Sequence, residues 1–223
     1  MTESPIRLLL VDDHAAFRLP LALILEREPD LVVAAQAGSL AEARAQLPEI
    51  TRRIDVALVD LKLPDGNGVE FVRDLRAANS QGQTIVVTAD TEKLHHAYAI
   101  EAGAVGVISK SAQPSAIIHA IRRVHAGEMA QPVQEIVELL RVMEQRREQD
   151  RSAQAAIDRL TPREREVLVA LSCGLADREI AERLYISTET ARTHMVNILH
   201  KLDMNSRLQA AIFAIRHGIG SSS

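Results

Sequence analysis

Four apolar runs each end in a residue able to do ionic or phosphoryl chemistry. Ile6 to Val11 ends in Asp12-Asp13, and the run from Ile54 to Val59 ends in Asp60. Thr84 to Val87 ends in Thr88, and Val105 to Ser109 ends in Lys110. If these runs are parallel strands, three carboxylates, a hydroxyl and an ammonium meet beyond one edge of one sheet. Open α/β sheets place their sites there. Hard oxygen donors of this kind suit Mg2+, which takes one or two carboxylates and keeps several waters. Clustered carboxylates repel one another without a cation. A carboxylate is already a nucleophile, so Asp60 could attack phosphorus without a general base. Thr88 would then hydrogen-bond one phosphoryl oxygen, and Lys110 would pair with another. Any one of these residues could simply end a strand; five in this order outweigh that reading.

The elements that must position them follow from periodicity. Residues 6–126 alternate short β-rich runs (Ile6–Val11, Leu31–Ala35, Ile54–Val59, Thr84–Val87, Val105–Ser109) with helical patterns. The helices are expected over Ala16–Arg27, from Ser39, and over Gly68–Ala77, Thr91–Ala102 and Pro114–His125. Ser39 and Glu42 have the spacing of a capping box, Pro114 suits a first turn, and Gly127 suits a helix stop. Leu19, Leu23 and Ile24 share a face of the first helix. Pro20 predicts a start nearer Arg18 or a kink, because it lacks the N–H an interior position needs. Five alternations predict a parallel sheet covered on both faces. Between Asp60 and the third helix, Leu61 to Gly68 reads as a loop.

Beyond this region the pattern changes. Val133, Ile136, Val137, Leu140 and Met143 keep helical spacing, then Glu144 to Arg151 is wholly polar or charged. This predicts a helix that starts packed and ends as a solvated linker; two heptads are too few to favour a coiled coil. Residues 161–217 read as four helices. Thr161, Pro162 and Glu164 supply an N-cap, a first-turn proline and a capping-box acid. That helix runs to Cys173, expected to be a small buried side chain, and Gly174 stops it. Asp177–Leu184 is the second helix, a third runs from Ser187 or Thr188 to Leu202, and Ser206–His217 is the fourth. Helix, turn and helix over Asp177–Leu202 would present one helix to a DNA major groove. Its buried stripe is expected at Ala191, Met195, Ile198, Leu199 and Leu202. Thr188, Glu189, Arg192, Thr193 and Val196 are then the candidates for base contacts, with Asn197 and Lys201 for phosphate. A helical protein-interaction module is the competing reading, and a near-neutral charge supports it.

Composition limits the alternatives. Aromatics are 2% of 223 residues with no Trp, so no stacking platform for single-stranded nucleic acid is expected. One cysteine excludes an intrachain disulfide and a Cys-rich zinc site. No apolar stretch approaches the roughly 20 residues of a membrane helix. The opening Met1-Thr2-Glu3-Ser4-Pro5 has no signal-peptide pattern, so a cytoplasmic location is expected. Net charge is −4 over residues 1–128, −1 over 129–159 and +1 over 160–223. The last third is thus the part least repelled by a polyanion. His95-His96 lack an evident third ligand and read as exposed helix residues, and His194 as packed or near phosphate.

From Ile6 to about Gly127 the chain resembles the receiver domain of bacterial two-component response regulators, with a flavodoxin-like fold. The resemblance rests on Val11-Asp12-Asp13-His14, on Asp60 with Pro64 and Gly68, on Thr88-Ala89 and on Lys110. It implies that Asp12, Asp13 and Asp60 hold Mg2+, that Asp60 is the phosphoacceptor, and that Thr88 and Lys110 contact the phosphoryl group. Two positions depart from the usual pattern. Val107 stands where the family commonly has Tyr or Phe, and has no ring to turn inward on activation. Lys62 puts a cation two residues after the acceptor. From about Leu160 to Gly218 the chain resembles a LuxR-type DNA-binding domain. That likeness rests on Leu160–Leu168, Glu179–Leu184 and Thr190–Leu202, with Ala191-Arg192 where Val-Lys is usual. In such domains the last helix often forms the dimer contact, here through Ala210, Ala211, Ala214 and Ile215. Together the two matches resemble the NarL/FixJ response regulators. The expected organisation is an α/β receiver over 1–128, a helical linker over 129–159, an all-α helix-turn-helix domain over 160–218 and a disordered tail over 219–223. The expected protein is a DNA-binding transcriptional regulator rather than an enzyme. A sensor histidine kinase, double-stranded DNA and a second copy are its expected partners. A phosphorylation-independent regulator with a receiver-like scaffold is the alternative. A further one is an aspartyl-phosphate phosphohydrolase; those typically carry Asp-x-Asp after the strand, and position 62 is Lys.

Overall fold

The computed structural model describes residues 4–50, 53–79 and 81–219; of the tail expected over 219–223, residues 220–223 lie outside them, while Ile219 is held, its N–H donating to Ala214 O and its carbonyl accepting from Ser172 Oγ. The chain divides into two compact units between Glu144 and Gln145. In the first unit the strands are β1 (Ile6–Val11), β2 (Leu31–Ala37), β3 (Val56–Val59), β4 (Lys62–Leu63), β5 (Gly66–Asn67), β6 (Gln83–Thr88) and β7 (Gly106–Ser109). Its helices are α1 (Ala15–Leu25), α2 (Leu40–Ile50), α3 (Gly68–Ala78), α4 (Lys93–Ala102) and α5 (Pro114–His125). Five strands form a parallel sheet in the order β2-β1-β3-β6-β7, as flavodoxin-like topology requires.

Side-chain alternation decides which helices lie on which face. Leu8, Leu10, Val56, Leu58, Ile85 and Val87 pack against α1 and α5. Leu9, Val11, Ala57 and Val59 point the other way, into a core with Leu40, Phe71 and Leu75. Burial on both faces explains why the central strands are almost wholly apolar.

Several expectations need correction. The buried side of α1 is Leu21, Ala22 and Leu25, while Leu19 and Leu23 are exposed. The helix begins at Ala15 with Pro20 inside it; Pro20 and Ala16 are both exposed, so the carbonyl that Pro20 cannot bond faces water. Ser39 Oγ accepts from the Glu42 N–H, but Glu42 reaches back to the Gly38 N–H rather than to Ser39. Asp65 completes that helix start, its carboxylate accepting from the Leu40 and Ala41 N–H groups at 2.8 Å each. The loop after Asp60 contains a two-residue antiparallel ladder, β4 with β5.

A sixth helix, α6 (Val133–Asp158), spans the division between the units. It stays helical through the polar stretch expected to be a linker. In the first unit its buried positions are Ile136, Leu139 and Met143, with Leu139 and Met143 packed against Ala97 of α4. Val133, Val137 and Leu140 are exposed. In the second unit Ala156, near the end of α6, joins the core of four further helices, and Ile157 beside it is also buried. These are α7 (Pro162–Ser172), α8 (Asp177–Leu184), α9 (Thr188–Lys201) and α10 (Arg207–Arg216). The capping box at Thr161 and Glu164 forms as expected, and Ser187 is the cap of α9. Cys173 is exposed, because it caps α7 beside Gly174, whose φ of +83° turns the chain away. Ala210 and Ala214 lie fully inside the unit's own core. They are therefore not free to meet a second helix; the exposed apolar side of α10 is Leu208, Ile212 and Ile215. Among the described residues no helix is long and apolar enough to cross a membrane.

Candidate functional sites

Strand register brings the first site together. Val11 and Val59 are direct partners across β1 and β3, so Asp12 and Asp60 leave the sheet side by side. The ladder continues one step past the strands: the Asp12 N–H donates to Ala37 O and the Asp60 N–H to Val11 O. At the other side the Lys110 N–H donates to Thr88 O. These bonds fix the backbone of four of the five residues before any side chain acts. Asp12, Asp60 and Thr88 are at most 5% exposed.

The side chains converge. Lys110 Nζ lies 2.6 Å from Asp60 Oδ2 and 2.8 Å from Asp12 Oδ2. It also sits over the Phe17 ring, 5.2 Å from its centroid. Burial alone would push the ammonium down, but the bonds to Asp12 and Asp60 outweigh it and hold the pKa above the ordinary lysine value. Asp12 also accepts from the His14 N–H, and Arg18 donates to the Asp12 main-chain carbonyl. Asp60 Oδ1 is buried and, among the described residues, has no hydrogen-bond partner. A buried carboxylate oxygen without a donor is costly, so this atom is the open valence of the site. Ligand atoms of Asp12, Asp13, His14 and Asp60 all lie within 4.8 Å of one another. The set fits a hard cation: three carboxylates, one with a free buried oxygen, beside a single ammonium. His14 Nδ1 lies 2.7 Å from Asp13 Oδ1, so the ring orients that carboxylate.

Gly68 controls how close α3 comes. A Cβ at this position would lie 1.9 Å from the Asp60 carbonyl oxygen. The Gly68 N–H donates to Leu61 O at 2.8 Å, which closes the loop behind Asp60.

Asp90 belongs to the site and was not expected from the sequence. Its side chain is 3% exposed and its carboxylate meets Lys62 Nζ at 3.1 Å and His95 Nδ1 at 3.0 Å. Its Oδ1 accepts from the Glu92 N–H at 2.7 Å. Burial opposes ionisation, yet the Glu92 N–H, His95 and Lys62 together hold the carboxyl far below the usual range. Its main chain is engaged too: the N–H donates to Thr88 Oγ1 and the carbonyl accepts from His96 Nε2. His95 and His96 are therefore half-buried anchors of α4 rather than exposed surface residues. The sequence signal was their position one turn after an aspartate, an i to i+5 and i+6 spacing that no regular helix pattern picks out. Asp60, Lys62, Thr88, Asp90 and Lys110 border one cavity of about 370 Å³.

The second site is the outer face of α9. Ala191, Met195 and Ile198 are buried, as expected, and Leu199 is half-buried. Glu189, Arg192, Thr193, Val196 and Asn197 are exposed, and Thr188 is half-buried at the helix start. Arg192 lies 3.5 Å from Asp177 and 3.8 Å from Glu189, loose pairs on an open surface. Thr193 Oγ1 donates to Glu189 O. Lys201 stands apart, its ammonium held at 2.7 Å by Glu164, which is 3% exposed.

Comparison with known proteins agrees on both units. The family model described as the response regulator receiver domain matches residues 8–122. The model described as bacterial regulatory proteins, luxR family, matches residues 158–214. The DNA-binding transcriptional activator DevR/DosR of Mycobacterium tuberculosis is 35% identical over 209 residues, covering 94% of each chain. The transcriptional regulatory protein LiaR of Bacillus subtilis is 35% identical over 214 residues, 95% of this chain and 98% of its own. Among solved structures, the response regulator ChrA of a heme-sensing two-component system is 28% identical with a TM-score of 0.53. It covers 97% of this chain and 100% of its own. The two-component response regulator RcsB in complex with DNA, 20% identical with a TM-score of 0.55, shares the fold over 96% of this chain and 99% of its own.

Proposed function

The chain belongs to the two-component response regulators of the NarL/LuxR type, a receiver domain with a LuxR-type helix-turn-helix domain, and from that premise we propose how it acts. Asp60 accepts a phosphoryl group from a sensor histidine kinase, with Mg2+ held by Asp12, Asp13 and Asp60. The phosphorylated protein binds promoter DNA as a homodimer, in the cytoplasm. The observation that carries the reading is Asp60 Oδ1, a buried carboxylate oxygen with no donor, beside an ammonium already bonded to its partner oxygen.

In the transfer, Asp60 Oδ1 forms the bond to phosphorus. The phosphorus–nitrogen bond of the donor imidazole breaks, and its electron pair returns to the ring nitrogen. Bound Mg2+ would neutralise part of the charge that the incoming phosphoryl group adds to a cluster of carboxylates. Lys110 holds Asp60 Oδ2 in the attacking orientation and is placed to pair with a phosphoryl oxygen afterwards. Thr88 Oγ1 accepts from the Asp90 N–H and keeps its own hydroxyl proton to donate. Asp60 needs no base, because a carboxylate is already a nucleophile, and Lys110 pairs with its other oxygen.

On DNA, α9 would enter the major groove with Thr188, Glu189, Arg192, Thr193 and Val196 toward bases. Arg192 gives up weak pairs with Asp177 and Glu189 to do so, and its planar fork suits guanine. Asn197 would touch phosphate. Lys201 would reach phosphate only with the ammonium protons that Glu164 does not hold. The exposed Leu208, Ile212 and Ile215 lie at i, i+4 and i+7 on α10 and supply an apolar face for a second copy. Two copies would then meet half-sites about one helical turn apart.

The test is Asp60→Asn in the full chain with a small phosphodonor and Mg2+. Labelling should fall to background while the fold, read by circular dichroism, is kept. Full labelling of Asp60→Asn would remove the assignment. DNA affinity unchanged by phosphodonor in a fully labelled wild type would favour the phosphorylation-independent alternative.

A further inference from the structure

We propose that Lys62 is the moving cation of the receiver site, exchanging Asp90 for the phosphoryl group and so releasing the anchor of α4. The inference rests on the phosphoacceptor role of Asp60. Lys110 is already committed to two carboxylates, Asp12 and Asp60. A phosphoryl group on Asp60 brings further negative charge into the same cavity, which Lys62 also borders. The Lys62 side chain is 73% exposed and sits on the short β4–β5 hairpin that directly follows the acceptor. Its ammonium pairs with Asp90, at 3.1 Å. It is therefore a long, mobile cation with a competing anion newly created beside it.

Asp90 is the reason the exchange matters. Its carboxylate is 3% exposed, and Lys62 is its lysine partner. When Lys62 turns to the phosphoryl group, a buried anion keeps the Glu92 N–H and His95 alone. The same residue bonds Thr88 in the pocket and His96 at the start of α4. Asp90 thus ties the acceptor pocket to two histidines on the first turn of α4. On the same helix Ala97 packs against Leu139 and Met143 of α6. Lys93, also on α4, pairs with Glu138 of α6 at 3.4 Å. Loss of the Lys62 contact would therefore be felt at the α4–α6 seam. This route uses no ring at position 107; Val107 there instead donates its N–H to Gln131 Oε1 at 2.7 Å.

The experiment uses the full chain with isotope-labelled histidine, Mg2+ and acetyl phosphate as donor. Incorporation of phosphate at Asp60 is measured in the same samples. In the wild type the donor should displace the ring resonances of His95 and His96, assigned with His95→Gln and His96→Gln. In Lys62→Met the two rings should already be displaced without donor and should show no further response in the fraction of chains phosphorylated at Asp60. Lys62→Arg should restore the response, which a loss of fold would not allow. Three results overturn the proposal. One is a normal histidine response in phosphorylated Lys62→Met. The second is a phosphorylated wild type whose histidines do not move. The third is a Lys62→Met chain that takes up no phosphate, since Lys62 would then belong to the transfer itself. A wild type that takes up no phosphate removes the phosphoacceptor reading first, and the two failures are told apart by the incorporation assay.

Discussion

In each unit a buried carboxylate meets a lysine, Asp60 with Lys110 and Glu164 with Lys201, and the two pairs differ in what they leave over. Glu164 and Asp60 are both 3% exposed, with ammonium groups at 2.7 Å and 2.6 Å. Glu164 is closed in this sense: Oε2 takes Lys201 and the Thr161 N–H at the start of α7, and neither of its oxygens is among the buried atoms of the described residues that lack a partner. Asp60 is open: Oδ2 takes Lys110, and Oδ1 is buried with nothing bonded to it. The first pair staples α9 to α7. The second keeps an unsatisfied oxygen in a cavity, which is a poor way to stabilise a fold and a good way to hold a nucleophile. Burial and ion pairing are common to both pairs; what sets Asp60 apart is a buried carboxylate oxygen with no partner among the described residues.

The contrast can be broken most directly at the lysines. Lys110→Met leaves two buried carboxylates without their cation, and removing one partner of such a cluster costs about 3–5 kcal/mol. Because the site is open to a metal, millimolar Mg2+ should return much of that stability, about 2.7 kcal/mol at a concentration a hundred times its Kd. Lys201→Met should cost about 3 kcal/mol, the lower end of the same range, since Lys201 is about a third exposed. Mg2+ should return none of it. Urea unfolding of the full chain with and without Mg2+ measures both. Equal recovery in the two variants would erase the distinction between a closed and an open pair.

Gly68→Ala comes next in size. The added methyl would overlap the Asp60 carbonyl oxygen, a backbone atom that cannot step aside cheaply. Overpacking of this kind costs about 1–3 kcal/mol. The larger consequence should be on phosphoryl uptake, because Asp60 itself is displaced. A Gly68→Ala chain that melts earlier but labels at the wild-type rate would show that the acceptor tolerates movement. A matched change at Gly174, which has open space around its missing Cβ, should leave labelling unaltered.

How much of this was legible beforehand divides along the same line. Asp12, Asp60, Thr88 and Lys110 could be placed because each ends a strand, and parallel strands in register bring their ends together. The exposed face of α9 was legible because a period of 3.6 separates Ala191, Met195 and Ile198 from the rest. Partnerships across elements were not legible. Glu164 was read as a helix cap and Lys201 as a phosphate contact, and only the packing of α7 on α9 makes them one pair. Asp90 with Lys62, His95 and His96 was missed for the same reason, since a turn between β6 and α4 brings them together. On α1 and α10 the apolar residues outnumber what one face can bury, so periodicity alone chose the exposed Leu19 and Leu23 on one helix and the already buried Ala210 and Ala214 on the other.

The smallest expected effect lies in the pH dependence, and it sharpens the comparison from another side. Burial opposes ionisation of Glu164, but Lys201 and the Thr161 groups outweigh it, and its pKa is lowered. A carboxyl lowered on folding adds stability that is present above its unfolded value, about 4.3, and is lost as pH falls through the lower folded value. The C-terminal unit should therefore weaken in acid. Lys110 is raised on folding, so its contribution is present below the unfolded value of about 10.4 and is lost as pH rises through the higher folded one. The receiver should weaken in strong alkali for that reason, and also in acid, where Asp90 and Asp65, both lowered, take up protons. Limited proteolysis of the full chain across pH, scored by which unit is cut, reads the two separately. Glu164→Gln should remove the acid slope of the C-terminal unit and leave the receiver's untouched. If that unit keeps its acid slope in Glu164→Gln, the closed pair is not what holds α9 to α7, and the contrast with Asp60 would rest on geometry without an energetic counterpart.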